Sequence, residues 1–183
     1  MRKYLPIPII VCFVLILDQV VKYLIRINMT LGQSIPSQDS FIRLLYLRND
    51  GIAFSLFGGN RWILVVTQLI LIAAIILVMI YVLKRIDSKL VLVSFSMMLG
   101  GGLGNLIDRI IFGSVVDFIS IGSFAVFNIA DMSLTIGCGI MILYLIISSK
   151  ESDPMKNDGE MSSDSEISSD SEISSDGEED QEE

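Results

Sequence analysis

Histidine is absent from all 183 residues. That removes the Ser-His-Asp and Cys-His nucleophile systems and every imidazole metal site. Cysteine is almost as scarce. Cys12 and Cys138 each sit in an apolar run, where a free thiol behaves as a small hydrophobe. Two such residues build neither a disulfide framework nor a cysteine-rich metal site. Glutamate does not occur before Glu151, so the acids up to that point are the aspartates at 18, 39, 50, 87, 108, 117 and 131. There is one tryptophan, and proline occurs only four times.

What is present in quantity is apolar. Hydrophobic residues make up 52% of the chain, too many for an ordinary soluble domain of this length. The net charge of −8 conceals two different regions. Residues 151–183 hold 14 of the 21 acidic residues, with Lys156 as their one cation, whereas residues 1–150 are net basic. Residues 162–176 repeat Ser-Ser-Asp-Ser-Glu-Ile with a six-residue period. Such a composition cannot bury enough surface to fold, and 151–183 is expected to be a disordered, solvating acidic tail.

Four stretches in residues 1–150 meet the length rule for crossing a bilayer: about 5–25, 62–83, 90–107 and 129–147. In lipid these must be helices, because unsatisfied backbone groups cost several kcal/mol each. The fold expected is therefore all-α and membrane-embedded, with four transmembrane helices in one domain, 1–150. Met1-Arg2-Lys3 before an apolar run has the outline of a signal peptide. No small-x-small site follows and no small residues precede Cys12, so the segment is read as a retained helix. Phe41-Ile42-Arg43-Leu44-Leu45-Tyr46-Leu47 has strand-like composition and leads into the turn signal Asn49-Asp50-Gly51. A small β-rich region outside the membrane is expected there. An even number of spans puts both termini on one side. The short basic connection Lys84, Arg85 and Lys89, with Arg2, Lys3 and Lys150, marks that side as cytoplasmic.

Charges inside a membrane domain are functional candidates by default. On this topology Asp18, Asp108, Asp117 and Asp131 converge toward the outer leaflet, Asp117 on the short loop between the third and fourth helices. Each has an ordinary reading as well. Asp18 and Lys22, spaced i, i+4, can neutralise one another. Asp108-Arg109 can be an interfacial anchor, and Asn128 or Asp131 an N-cap. Gly100, Gly101, Gly102 and Gly104 can serve close helix packing. Two carboxylates sharing one proton can nevertheless hydrolyse an amide without metal or histidine.

Gly101-Gly102-Leu103-Gly104-Asn105-Leu106-Ile107-Asp108-Arg109, Val115-Val116-Asp117-Phe118 and Phe127-Asn128-Ile129-Ala130-Asp131 together closely resemble the lipoprotein signal peptidases (signal peptidase II). Asp18-Gln19-Val20-Val21-Lys22 and Asn49-Asp50-Gly51-Ile52-Ala53-Phe54 extend the resemblance upstream. It implies an aspartic endopeptidase with Asp117 and Asp131 as catalytic dyad. Asn49, Asn105, Arg109 and Asn128 would orient the dyad or hold substrate backbone. Asp18, Lys22, Asp108, Gly51 and Phe54 would support them. The implied substrates are prolipoproteins carrying a diacylglyceryl-cysteine, cut just before that residue. The enzyme expected is a monomer of the bacterial cytoplasmic membrane, working near the outer leaflet with no cofactor, metal or nucleic-acid partner. The family often has alanine where Ile52 stands and proline where Ala125 stands, and the acidic tail is no part of its pattern.

Two other functions compete. A proton-coupled transporter would use Asp18, Asp108 and Asp131 as relay groups, but the acids cluster toward one side and no inverted repeat is visible. A Mg²⁺-dependent lipid transferase ranks third, because the spacings of Asp108, Asp117 and Asp131 supply no ligand pair one helical turn apart.

Overall fold

The computed structural model describes residues 2–36, 40–51, 60–122 and 126–151. Asp39, Ile52, Ala53, Phe54, Ala125 and the acidic repeats lie outside them. The chain divides into two compact units, Met1–Ile146 and Ile147–Glu183. The first holds every element discussed below, apart from the last residues of the fourth helix.

Among the described residues, four helices are long and apolar enough to cross a membrane. They are α1 (Pro6–Asn28), α2 (Arg61–Leu83), α3 (Lys89–Phe112) and α4 (Ile129–Glu151). Helix α1 starts with proline in its first turn, where the missing N–H costs nothing. Helix α2 starts at Asn60, whose side-chain oxygen accepts from the N–H groups of Trp62 and Ile63 at 3.1 and 3.4 Å. Helix α3 stops at Gly113, which adopts a left-handed φ of 74°.

Helix α3 is the central post. Two thirds of its span (67%) is buried within the protein, against 17% for α1 and 11% for α4. Its inner face is small and polar, as helices in lipid require when they pack by close approach. A Cβ at Gly101 would overlap the Ala130 carbonyl oxygen of α4. One at Gly104 would stand 2.6 Å from the Asp18 carboxylate of α1. These glycines therefore set how near α1 and α4 come to α3. On the other side, Val65, Ile72 and Ile75 of α2 join Val91, Leu92, Phe95, Leu99 and Leu106 of α3 in one apolar cluster. The buried positions of α1 are Val14, Asp18, Lys22 and Ile25, a single helical stripe with two charges in it.

At one end of the bundle sits a four-stranded antiparallel sheet, in the order β1 (Ser34–Ile35), β2 (Ile42–Asn49), β3 (Val115–Ile121), β4 (Val126–Phe127). Strand β2 falls where strand-like composition placed it. Strand β3 is a correction: Asp117 lies in a strand, not a loop. Its residues Val115 to Phe118 are all buried, so no apolar–polar alternation announces it. Val116 and Phe118 pack on Ile25 and Met29 at the end of α1. In the register Leu47 faces Asp117, Arg48 faces Val116 and Asn49 faces Val115. Side chains alternate along a strand, so Asn49 and Asp117 share one face while Arg48 and Val116 share the other.

Candidate active site

Three elements meet under β3: the second half of α1, the end of α3 and the first turn of α4. Asn128 joins them. It precedes α4, and its side-chain oxygen accepts from the Asp131 N–H at 3.0 Å. The Asp131 carboxylate in turn accepts from the Asn128 N–H at 3.2 Å. This is a reciprocal capping box, with aspartate in the place usual for glutamate. The same Asn128 amide donates to Asp117 Oδ1 at 2.7 Å. One residue therefore starts the helix and touches both carboxylates.

Each carboxylate oxygen holds one donor. Asp117 Oδ2 accepts from Asn49 at 3.0 Å, and Asp131 Oδ1 accepts from Asn105 at 2.7 Å. Asn49 is itself turned by Gly51, whose N–H donates to its side-chain oxygen at 3.1 Å. Asn105 accepts from Asn128 at 3.2 Å and from Lys22 at 2.9 Å. A carboxylate offers about four acceptor sites, so both aspartates keep lone pairs free for a water or a shared proton.

Behind this layer lies a buried ion cluster. Lys22 Nζ stands 2.8 Å from Asp18 and 3.2 Å from Asp108, with all three side chains fully buried. Arg26 reaches the other oxygen of Asp108 at 2.7 Å. The Val116 N–H also donates to Asp108, at 3.3 Å, tying strand β3 to α3. Asp18 accepts from the Ala130 N–H at 2.9 Å, an anion against the N-terminus of α4. The i, i+4 pair is thus real but incomplete, because Lys22 serves two acids. Asp108 is an internal ligand for cations and not an interfacial anchor.

Arg109 is oriented by a residue that the sequence did not flag. Its Nη1 donates to Gln68 of α2 at 2.7 Å, and Gln68 donates to the Gly102 carbonyl at 3.1 Å. The Arg109 Nε is buried without a hydrogen-bond partner among the described residues. A glutamine inside the most apolar span was the available signal, since a buried amide needs partners. Gln19 was also missed as a ligand. It donates to Asp18 and the Gly104 carbonyl, both at 3.1 Å. Of the expected site residues, Asp18, Lys22, Asn49, Gly51, Asn105, Asp108, Asp117, Asn128 and Asp131 form one hydrogen-bonded network. Arg109 contacts Gln68, and Phe54 lies outside the described residues.

A model of the family described as signal peptidase (SPase) II matches residues 10–147. The chain belongs to the signal peptidase II family. It is accordingly an aspartic-type signal peptidase, a hydrolase, which decides against the transporter and the lipid transferase. The lipoprotein signal peptidase of Halothermothrix orenii is 40% identical over 145 residues, 79% of this chain and 98% of that one. That of Moorella thermoacetica is 40% identical over 148 residues, 80% and 97% of the two chains. A solved bacterial membrane enzyme, determined by the in meso method at 2.3 Å, aligns with a TM-score of 0.71 and 33% identity. The alignment covers 81% of this chain and 92% of that one.

Electrostatics separate Asp117 from an ordinary surface acid. Burial pushes its pKa up from 3.8 to about 6, and the Asp131 charge adds to the rise. The Asn49 and Asn128 donors and the Lys22 charge pull the other way. With its pKa raised on folding, the native state binds the proton more tightly than the unfolded chain. The stability this carries is present below about pH 4 and is lost as pH rises through about 6. A shift of that size corresponds to about 3 kcal/mol. Asn at 117 removes the penalty and gives up one acceptor, worth about 1 kcal/mol. Asp117→Asn should therefore be about 1–2 kcal/mol more stable than wild type at pH 7.5 and nearly equal at pH 4. Thermal unfolding in detergent across that range checks the sign. A gain independent of pH would contradict the burial argument.

Proposed function

We propose that this chain removes the signal peptide from prolipoproteins whose cysteine already carries a diacylglyceryl group, cutting immediately before that cysteine, with Asp117 and Asp131 as the reacting acids. The observation that carries the reading is Asn128, which holds both carboxylates and is itself joined to Asn105. The named activity of the relatives supports the substrate class.

The steps follow from the chemistry of a carboxyl pair. The ionised carboxylate takes a proton from a bound water as its oxygen attacks the scissile carbonyl carbon. The protonated partner hydrogen-bonds the carbonyl oxygen and transfers its proton as the tetrahedral diol forms. Collapse breaks the C–N bond as one diol hydroxyl returns its proton to the partner carboxylate. The proton taken from water then passes to the departing amine of the cysteine. Asn49, Asn105 and Asn128 fix the two carboxylates so that little reorganisation is needed. Arg109, held by Gln68, orients the dyad or holds substrate backbone. Asp18, Lys22, Asp108 and Gly51 hold these groups in place.

On this reading the sheet-bearing end faces outward and both termini are cytoplasmic, in keeping with Lys3, Lys84, Arg85 and Lys89 gathering at the opposite end. Residues 1–150 act as a monomeric peptidase unit, and 151–183 is accessory. The deciding experiment incubates purified protein with a diacylated prolipoprotein and with its unlipidated form. Release of the signal peptide from the lipidated form, with cysteine as the new N-terminus, supports the proposal. Cleavage elsewhere, or of neither form, overturns it.

Two further results are expected. Truncation after Lys150 should leave turnover within about twofold of the full chain, because every proposed reacting group precedes it. A large loss in a folded truncation would show coupling between tail and site. Exhaustive chelation with EDTA should leave the rate unchanged. Among the described residues no three acidic or cysteine side chains are grouped to hold a metal ion, and two carboxyls can activate water unaided. Activity lost to EDTA and restored by a divalent ion would refute this.

A further inference from the structure

On the far side of β2 and β3 from Asn49 and Asp117 the same end of the bundle carries a cavity. It measures about 500 Å³ and is lined by Leu31, Arg48, Asp50, Arg61, Phe112, Gly113 and Ser114. We propose that this cavity is a phosphate site at the membrane interface, taking the headgroup phosphate of an anionic phospholipid.

Charge, place and shape support it independently. Two guanidinium groups line the cavity against one carboxylate, leaving a net positive charge that one phosphodiester balances. Guanidinium is the side chain whose planar donors match phosphate oxygens. Arg48 is braced: its Nε donates to Ser114 Oγ at 3.0 Å and one terminal nitrogen reaches the Phe112 carbonyl at 3.4 Å. Its other terminal nitrogen makes no hydrogen bond among the described residues. Arg61 makes no hydrogen bond or ion pair among them, and its guanidinium lies 5.8 Å from the Trp62 ring.

The cavity is also at the right depth. Arg61 opens α2 and Phe112 closes α3, so the lining residues sit where two apolar spans end. That level is where headgroups lie and where arginine and tryptophan are favoured. Leu31 and Phe112 supply an apolar flank for the glycerol backbone and first acyl carbons. The volume lies within the range of sites that take small ligands. A hydroxyl-bearing headgroup would in addition donate to Asp50. Arg26, which stacks on the Phe112 ring at 4.0 Å, is already paired with Asp108 and is not counted.

The test uses the full chain in detergent with an equimolar mixture of phosphatidylglycerol and phosphatidylcholine, read by native mass spectrometry. Phosphatidylcholine carries its own ammonium group and offers the two arginines no net charge. Wild type should retain phosphatidylglycerol at least about fivefold over phosphatidylcholine. Arg61→Gln and Arg48→Gln should each bring that ratio close to one. Arg85→Gln, which removes the charge stacked on Tyr81 at the other end of α2, should leave it unchanged. Arg48→Gln could disturb the sheet through Ser114, so Arg61→Gln decides the matter. Inorganic phosphate at about 10 mM separates the two possible sources. Displacement of the lipid would mean that phosphate alone is recognised, and resistance that the acyl chains contribute; either supports the site. An equal ratio in wild type, or a preference that survives Arg61→Gln, overturns it. Peptidase activity is not the readout, so failure here leaves the proposed function standing.

Discussion

Asp117→Asn and Asp131→Asn should each lower turnover of a diacylated prolipoprotein at least about a thousandfold while the protein still inserts and folds. Asparagine keeps the volume and at least one acceptor, so the Asn49, Asn105 and Asn128 contacts can largely persist. It can neither ionise to take a proton from water nor carry one to the carbonyl. General acid–base groups typically contribute between a hundredfold and ten-thousandfold. Losing either member here disables the only water-activating device proposed. Single-turnover kinetics on purified variants, with host peptidase excluded by a genetic deletion, measure the effect. Turnover within tenfold of wild type by either variant would refute the dyad. The stability gain expected of Asp117→Asn at neutral pH makes misfolding a poor explanation for lost activity at that position.

Lys22→Met should cost about 3–5 kcal/mol of stability, the largest effect expected from a residue with no proposed chemical role. The ammonium is fully buried and spends its donors on Asp18, Asp108 and Asn105, at 2.8, 3.2 and 2.9 Å. Methionine fits the space but leaves two buried acids with Arg26 as their remaining cation. Breaking a buried ion pair from one side usually costs this much, because a charge is left uncompensated. For a domain of this size that is a fall of roughly 10 °C in unfolding midpoint. Lys22→Met combined with Asp18→Asn should recover about half of the loss, since asparagine can still accept from the Ala130 N–H without carrying charge. Thermal unfolding of both variants in the same detergent tests the pairing. A single variant within about 1 kcal/mol of wild type, or a double variant no better than the single, would mean that Lys22 does not neutralise this cluster.

The ion cluster also shows how far helical spacing could be read. Asp18 and Lys22 are four residues apart on one helix, so their contact follows from helix geometry. Asp108 lies more than eighty residues further on. Its place at Lys22 depends on how near α1 comes to α3, which Gly104 sets by admitting the Asp18 carboxylate. Similarly, Asn128 and Asp131 could be read as cap residues because capping is local. That Asn128 also reaches Asp117 depends on strand β3 crossing above the first turn of α4.

Gln68 and strand β3 were missed for related reasons. Gln68 sits in the helix with the cleanest membrane signature, and hydropathy averages a lone amide away. Only its position against the Gly102 carbonyl and Arg109 gives it a function. Strand β3 is covered on both faces, so the period-2 signature of a half-exposed strand is absent, whereas β2 kept enough strand-like composition to be found.

The sequence by itself determined the four spans, the separate acidic tail, the absence of histidine and cysteine chemistry, and the family motifs with their two aspartates. These depend on composition, run length and short spacing, which every segment carries within itself. Only the tertiary structure decided that Asp117 lies on a strand, that one asparagine holds both carboxylates, that Lys22 serves two acids and that Gln68 orients Arg109. Each of these joins side chains from different elements. Their distances are set by glycine-limited helix approach and strand register, and neither can be read along a single stretch of chain.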